Sequence, residues 1–593
     1  MAGQQPSGLP IPEGRKTLTE GKATILHQGE DVFYNPAQVI NRDLSIAVLR
    51  YFVRQRQKEI AEGVLKAPRP KRTPAEAAQL KQSAEGPTPR PKLDDNIRIL
   101  EGLAASGLRS IRYALEVDGV RRIDANDLDE AAAAAVRQNL ELNDSKASGL
   151  VRPTQGDVRM AALRNPDGYE AVDLDPYGSP SQFLDTAVQA VAEGGLMLVT
   201  ATDMAVLCGN TGEACWSKYG SYPLHRPYCH EMALRILLAS LEAHANRHKR
   251  YIVPVLSLSI DFYVRVFVRV YQSAEKVKDA ASKQMYVYQS SGCDSFFTQP
   301  VGRKSPKGKG FKFAPGHGPT VPQQCPETGS GWIMGGPFWS QPLHDQAWVK
   351  GVLDILTADK GNFAAYGKLR GLLTSASEEL PDVPLYYNMH TVCRTLHVTP
   401  PANDIIRSAI INAGYRVSGT HANPLGIKTD APPDVLWDIM RCWVAQHPTK
   451  RALDPESHTG RLLSKEPKIQ ADFSRPSGAL RAQRGPKVAR FVPNPEANWG
   501  PKHRHKPVQW SSSAADGEAP ASSAAPEQGT ADVPVANFTG VNDTAAASAA
   551  APTGNGMPDS VPDENEQGAK KRKAEHCADV EQEQSSSVAA DVL

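Results

Sequence analysis

Residues Ile97–Val117 read IRILEGLAASGLRSIRYALEV. Ile97–Leu100 predicts a strand, the small residues Gly102, Ala104, Ala105, Ser106 and Gly107 a tight turn, and Ile111–Val117 a helix. A strand entering a helix through small residues lets the backbone approach a ligand at the strand's carboxyl end. The pattern recurs downstream. Arg122–Ala125 is the next strand, and Asp129–Asn143 a helix with five consecutive alanines. Val151–Gln155 and Ala171–Leu174 are strands, Ser181–Ala192 a helix, and Leu196–Ala201 an apolar, β-prone run. Glu231–His248 has helical apolar spacing, and Tyr251–Ser259 and Tyr263–Tyr271 close the series. Strands alternating with helices predict an α/β fold with a parallel, doubly wound, Rossmann-like sheet.

Acidic residues stand where such a sheet binds ligands. Asp127 ends the second strand 20 positions after Gly107, a spacing that suits a carboxylate bonding two ribose hydroxyls. QGDV at 155–158 places Asp157 after the third strand, where an adenine amino group is within reach. The turn lacks the G-x-G-x-x-G that brings a pyrophosphate to the backbone. That disfavours a nicotinamide dehydrogenase and favours a nucleoside cofactor without phosphates, S-adenosylmethionine. The fourth strand runs into Asp175-Pro176-Tyr177 within AVDLDPYGSP, 171–180. Alone, this triplet reads first as a helix cap beside a core ring. Beside the cofactor motifs it reads as a site for a planar base. Tyr177 stacks on the ring, while Asp175 and the Pro176 carbonyl accept protons from an exocyclic amine.

The whole chain sets the bounds. Its 593 residues predict more than one folded unit. Ile252–Val270, the most apolar stretch, is broken by Asp261, Arg265 and Arg269, so no membrane span is expected. The eight cysteines include no Cys-x-x-Cys, which excludes a disulfide scaffold. Residues 511–593 hold 14 acids and four Lys/Arg, and the remainder 51 acids and 63 Lys/Arg. A basic body with an acidic, low-aromatic tail predicts a polyanionic partner for the body and disorder for the tail.

Several stretches together resemble the tRNA (guanine-N2)-dimethyltransferases. They are EGKATILHQGEDVFYNPAQVINRD, LAASGLRSIRYALE, ANDLDEAA, DLDPYGSP, TATDMAVLCG, YPLHRPYCHEMALRIL and GTHANPLGIKTDAP, in the family's order over residues 18–440. The resemblance implies a class I S-adenosylmethionine methyltransferase domain with a smaller family-specific α/β C-terminal domain. The implied activity is dimethylation of the exocyclic amine of guanosine 26 in tRNA. By matching motif, the cofactor residues are Arg42, Arg109, Asp127, Asp157 and Val158. The catalytic acid is Asp175, flanked by Pro176 and Tyr177, the last often Phe in the family. Cys229, His230 and Glu231 fall within a family motif and are read as structural. Many relatives carry two Cys-x-x-Cys pairs that look like a zinc site. Here SSGC (290–293) and CPET (325–328) leave only Cys293 and Cys325, so zinc is not expected.

The expected organisation is an N-terminal arm and methyltransferase domain over 1–275, with an inserted loop at 66–92, and a C-terminal domain over 276–450. A basic RNA-contacting extension follows over 451–510, then the tail, 511–593. Within the extension, residues 475–506 carry eight Lys/Arg against Glu496 alone, interleaved with Phe491 and Trp499. The basic stretch 303–312 is read as a loop, and it and the 66–92 loop as further candidate phosphate contacts. Lys570, Lys571, Arg572 and Lys573 fit recognition by a nuclear import receptor. The expected location is the nucleus, with mitochondrial or cytoplasmic pools left open. The alternative is a catalytically inactive tRNA-binding or folding protein on a methyltransferase scaffold.

Overall fold

The computed structural model describes residues 16–27, 34–66, 93–166, 168–448, 454–476 and 488–494. A hairpin, β1 (Lys16–Glu20) and β2 (Ala23–His27), precedes the long helix α1 (Val39–Ala61). The central sheet contains β3 (Ile97–Glu101), β4 (Val120–Asp127), β5 (Val151–Gln155), β6 (Tyr169–Leu174), β7 (Val191–Ala201), β8 (Arg250–Ile260) and β9 (Tyr263–Gln272). Its order is β5-β4-β3-β6-β7-β9-β8.

The five strands from β5 to β7 are parallel, but β9 runs antiparallel to both β7 and β8. The expected all-parallel sheet is therefore corrected to a mixed one. Only Asp261 and Phe262 join β8 to β9, and a parallel partner needs a crossover of a dozen residues or more.

Alternation along the strands divides the core between the two faces. Leu196 and Leu198 of β7 face one cluster, with α1 and α2 (Leu108–Glu116). Met197 and Val199 face the other, with α5 (Leu184–Ala190) and α6 (Cys229–Arg247). Between these helices in the chain lie α3 (Glu130–Glu141) and α4 (Val158–Arg164). The strand β6 is buried along its whole length, as a strand covered on both sides must be. The predicted helix Ser181–Ala192 is a 3-10 turn followed by α5, because β7 already begins at Val191.

The C-terminal half contains helices at Gln346–Ala358, Asn403–Asn412 and Pro433–Gln446. The basic stretch 303–312, read as a loop, forms a hairpin between Gly302–Lys307 and Gly310–Pro315. Its Lys304 ammonium lies 4.3 Å from the Phe311 ring centre. Among the described residues no helix is long and apolar enough to cross a membrane. The inserted loop beyond Lys66, Trp499, the tail and Lys570–Lys573 lie outside the described residues.

Candidate active site

Parallel strands bring their carboxyl ends to one edge. Asp127 at the end of β4 accepts the backbone N–H of Ala105 at 2.8 Å and of Asp129 at 3.1 Å. It thereby fixes the turn after β3, where Ala105 and Gly107 take φ of +48° and +76°. A Cβ on Gly107 would lie 2.8 Å from a Val136 methyl, so both the conformation and the packing call for glycine. Asp157 caps α4 through the Arg159 N–H at 2.8 Å, and the Arg159 guanidinium holds its carboxyl below the usual range. Val158 is buried close to Gly102, where a Cβ would approach its side chain to 2.7 Å. The Asn126 amide donates to the Gly102 and Gly156 carbonyls at 3.2 and 2.9 Å, tying together the turns after β3 and β5.

Asp175 follows β6 and is one-fifth exposed, at 18% of its side chain. Its carboxylate accepts hydrogen bonds from the Arg109 guanidinium and, at 3.4 Å, from the Asn41 amide. Arg109 is buried, and its guanidinium also lies 3.5 Å from Asp173 and 3.5 Å from Glu101. Thus Arg109, assigned to the cofactor, links the acid at the end of β3 to the acid after β6. Arg265 of β9 supplies a second buried cation, 3.0 Å from Asp173. Burial pushes the Glu101 carboxyl up to about 8; Arg109 opposes that rise, while Asp173 and Asp175 add to it.

The NRD triplet diverges from the buried half of α1. Asn41 reaches Asp175, Arg42 forms a two-point pair with Glu20 at 2.7 and 2.6 Å, and Asp43 meets Arg112 at 2.8 Å. The loop after β6 is pinned from the end of β7. Gly178, at φ +87°, donates to the Thr202 hydroxyl at 2.7 Å, and its carbonyl accepts the Thr202 N–H at 3.0 Å. Ser179 lies 2.7 Å from the Tyr219 hydroxyl, which donates to Asp203 at 2.9 Å. Pro176 is buried, and Tyr177 beside it is 69% exposed.

The donor set fits a nucleoside with ribose hydroxyls and positive charge. Acids stand at or just beyond the ends of β3, β4 and β5, and among the described residues these turns form no glycine-rich N–H cradle for a pyrophosphate. A Cβ built on Gly156 or Gly178 meets nothing within 4 Å, so the turns after β5 and β6 leave this edge open.

Zinc does not fit the remaining cysteines. Cys293 and Cys325 lie 3.8 Å apart, but the other motif positions are Ser290 and Thr328, each bonded to the Ser330 hydroxyl, at 3.0 and 2.7 Å. Two thiols and two mutually satisfied hydroxyls are a poor tetrahedral set. His344, Glu379 and His421 also converge. Each imidazole spends one nitrogen accepting a β8 amide, from Ser257 at 3.3 Å and Ser259 at 3.0 Å. The protonated nitrogen of each then faces Glu379, leaving no lone pair for an ion. Cys208, Cys229 and His230 form a third group within 4.8 Å, at the start of α6. Glu231, next along, is buried in ion pairs with Arg235 and Lys428 at 2.9 Å each, which is a structural role.

The strand order, the antiparallel β9 and the acids at successive strand ends define a class I methyltransferase. The chain belongs to the family described as N2,N2-dimethylguanosine tRNA methyltransferase, whose pattern matches residues 14–441. It is 50% identical over 519 residues to tRNA (guanine(26)-N(2))-dimethyltransferase 2 of Arabidopsis thaliana, covering 82% of this chain and 88% of that protein. The Homo sapiens tRNA (guanine(26)-N(2))-dimethyltransferase is 46% identical over 517 residues, covering 83% and 78%. A solved structure of Trm1 from Pyrococcus horikoshii with S-adenosyl-L-methionine is 28% identical and superposes with a TM-score of 0.55, covering 71% of this chain and 98% of that one.

Proposed function

We propose that this chain transfers two methyl groups in succession from S-adenosylmethionine to the exocyclic N2 of guanosine 26 in tRNA. The observation that carries the reading is the Asp175 carboxylate, fixed by Arg109 and Asn41 at the sheet edge that also bears Asp127. Bound S-adenosylmethionine supplies an electrophilic methyl group on a sulfonium that departs as a neutral thioether.

Asp127 accepts the ribose hydroxyls, Asp157 the adenine amine, and Val158 forms apolar wall beside them. Arg42 shapes the site through its pair with Glu20. Tyr177 stacks on the guanine. An exocyclic amine is a poor nucleophile because its lone pair is delocalised into the ring. Asp175 and the Pro176 carbonyl each accept a hydrogen bond from one of its N–H groups, which returns density to nitrogen and aims the lone pair. As the N–C bond forms, Asp175 takes one proton. The second transfer repeats the step on the remaining N–H with a second S-adenosylmethionine, after Asp175 has released its proton to solvent. Nucleoside mass spectrometry of tRNA incubated with the protein and cofactor tests this: N2,N2-dimethylguanosine at position 26 is expected, and unmodified guanosine would reject it.

Two expectations concern the cofactor. Asp127→Ala removes acceptors for two hydroxyls, each charge-assisted bond contributing about 1.5 kcal/mol. The cofactor Kd by calorimetry should therefore rise about 100-fold, with tRNA affinity unchanged. Glu101 is protonated below pH about 8. A cationic ligand nearby favours its ionised form, so cofactor affinity should rise as pH increases through that value and then level off. Glu101→Gln should flatten the profile; an unchanged profile would dissociate Glu101 from cofactor binding.

Residues 276–450 serve in this reading as the family-specific domain and 451–510 as an RNA-contacting extension. Lys570–Lys573 would direct the chain to the nucleus. Green-fluorescent fusions with and without the four cations test that destination.

A further inference from the structure

The edge that carries Asp175 has a second concavity. Because β9 runs antiparallel to β7, with Ala201 opposite Val264, the Asp261–Phe262 turn stands at the same edge as the carboxyl ends of β6 and β7. Beside this turn is a cavity of about 200 Å³ lined by His230, Asp261, Lys368, Pro424, Arg490 and Phe491, among others. In the order β6-β7-β9-β8 the turn lies two to three strand spacings from the end of β6, roughly 10–14 Å at about 4.8 Å each.

Residues 488–494 are the longer of the two described parts of the basic stretch 475–506, and they are seated rather than loosely apposed. A Cβ on Gly371 would come within 2.2 Å of the Ala489 carbonyl and 2.9 Å of the Arg490 carbonyl, so glycine permits the backbone to lie directly on the helix Tyr366–Glu378. Asn494 donates to Asp261 at 3.3 Å and also meets Lys368. Phe491 is nevertheless 43% exposed at the cavity. Arg490 pairs with Glu378 at 2.6 and 2.7 Å, with both side chains about half exposed at 47% and 48%. An ion pair so open to water contributes little and yields to a competing phosphate. Lys368, bonded to Asp261 at 2.5 Å, is the second cation of the rim. Burial holds the His230 imidazole below its ordinary range against a hydrogen bond to the Ala422 backbone, so the uncharged ring has one nitrogen engaged and one left as an acceptor.

An open aromatic face, two rim cations that can exchange their carboxylate partners for a phosphate, and an uncharged imidazole supply what a single nucleotide uses: a π-surface for the base, charge for the phosphate and a polar atom for the base edge. The volume is small for a peptide segment and suits one base. We propose that this cavity is a subsite for a second nucleotide of the RNA substrate near the target guanosine, with its base on Phe491 and its phosphate between Arg490 and Lys368. The subsite rests on the reading of the chain as a tRNA methyltransferase and extends it to a nucleotide that undergoes no chemistry.

The test is a cycle across the interface with the full-length chain. The tRNA Kd is measured at fixed salt for wild type, Phe491→Ala and Phe491→Trp. The substrates are intact tRNA and a panel made abasic singly at the positions flanking guanosine 26. Phe491→Ala should weaken intact tRNA about tenfold, and Phe491→Trp should restore it. One abasic position should weaken wild type about tenfold and Phe491→Ala no further. Equal affinity of Phe491→Ala and wild type, or additive losses at every position, overturns the subsite. Methylation by wild type separates the two readings. If N2 of guanosine 26 is methylated while the losses are absent or additive, only the subsite falls. If tRNA is neither bound nor methylated, the function falls and the subsite with it.

Discussion

Asp175→Asn should lower the single-turnover rate of methyl transfer by about 10³-fold, within the range of about 10²–10⁴ for a positioned general base. The Kd values for tRNA and cofactor should each stay within about threefold, since the contact is used chiefly in the transition state. Asparagine preserves the shape and still offers Arg109 an acceptor oxygen. What it loses is the charge that draws the amine protons and the site that receives one. Asp175→Ala should be as inactive and also leave Arg109 with one acid fewer. A chain that only binds or folds tRNA would show no methyl transfer in wild type and nothing for either substitution to remove. Retained turnover in Asp175→Asn would assign the base elsewhere.

Arg109→Met should cost both activity and about 3–5 kcal/mol of stability, the usual effect of removing one partner from a buried ion cluster. Arg109 approaches Glu101, Asp173 and Asp175, and Arg265 is paired with Asp173. Methionine fills much of the volume but leaves the acids with too little positive charge. The pH dependence gives a second readout. Burial alone would push Asp173 up, yet Arg265 and Arg109 hold its carboxyl below the usual range. A depressed carboxyl contributes stability above its unfolded value, about 3.9, and loses it as pH falls through the folded one. Without Arg109 that contribution shrinks. Urea unfolding should therefore show a wide gap between wild type and variant at pH 7 that narrows below pH about 4. A gap independent of pH would mean that packing, rather than charge, is what Arg109 provides.

The residues differ in how much of this they disclose. β3 and its turn were readable because apolar runs and small residues are local signals. Asp127, Asp157 and Asp175 were readable because strand ends fix where they point. The helix α1 carried no comparable signal. From Ile40 to Leu49 it is buried on every side, so it has no polar face to give an amphipathic stripe. Asn41 was hidden with it, since its approach to Asp175 depends on how α1 packs on the sheet. Arg265 and Arg269 are visible in the sequence as interruptions in an apolar β-prone run, but what they meet is not. An arginine inside a buried strand needs an acid, and the structure supplies Asp173 for one and Glu59 for the other. The two-residue spacing between β8 and β9 likewise contained the antiparallel turn. Thr202 and Asp203 sit in a quoted motif, but their grip on Gly178 and Tyr219 is a tertiary fact.

The most direct test of the chemistry replaces the reacting atom itself. Wild-type protein is given tRNA with guanosine or inosine at position 26, inosine lacking only the N2 amine, and the nucleosides are quantified by mass spectrometry. The account predicts N2,N2-dimethylguanosine from the first substrate and no methylated nucleoside at that position from the second, with both tRNAs bound. Methyl incorporation into inosine 26 at a comparable rate would contradict it.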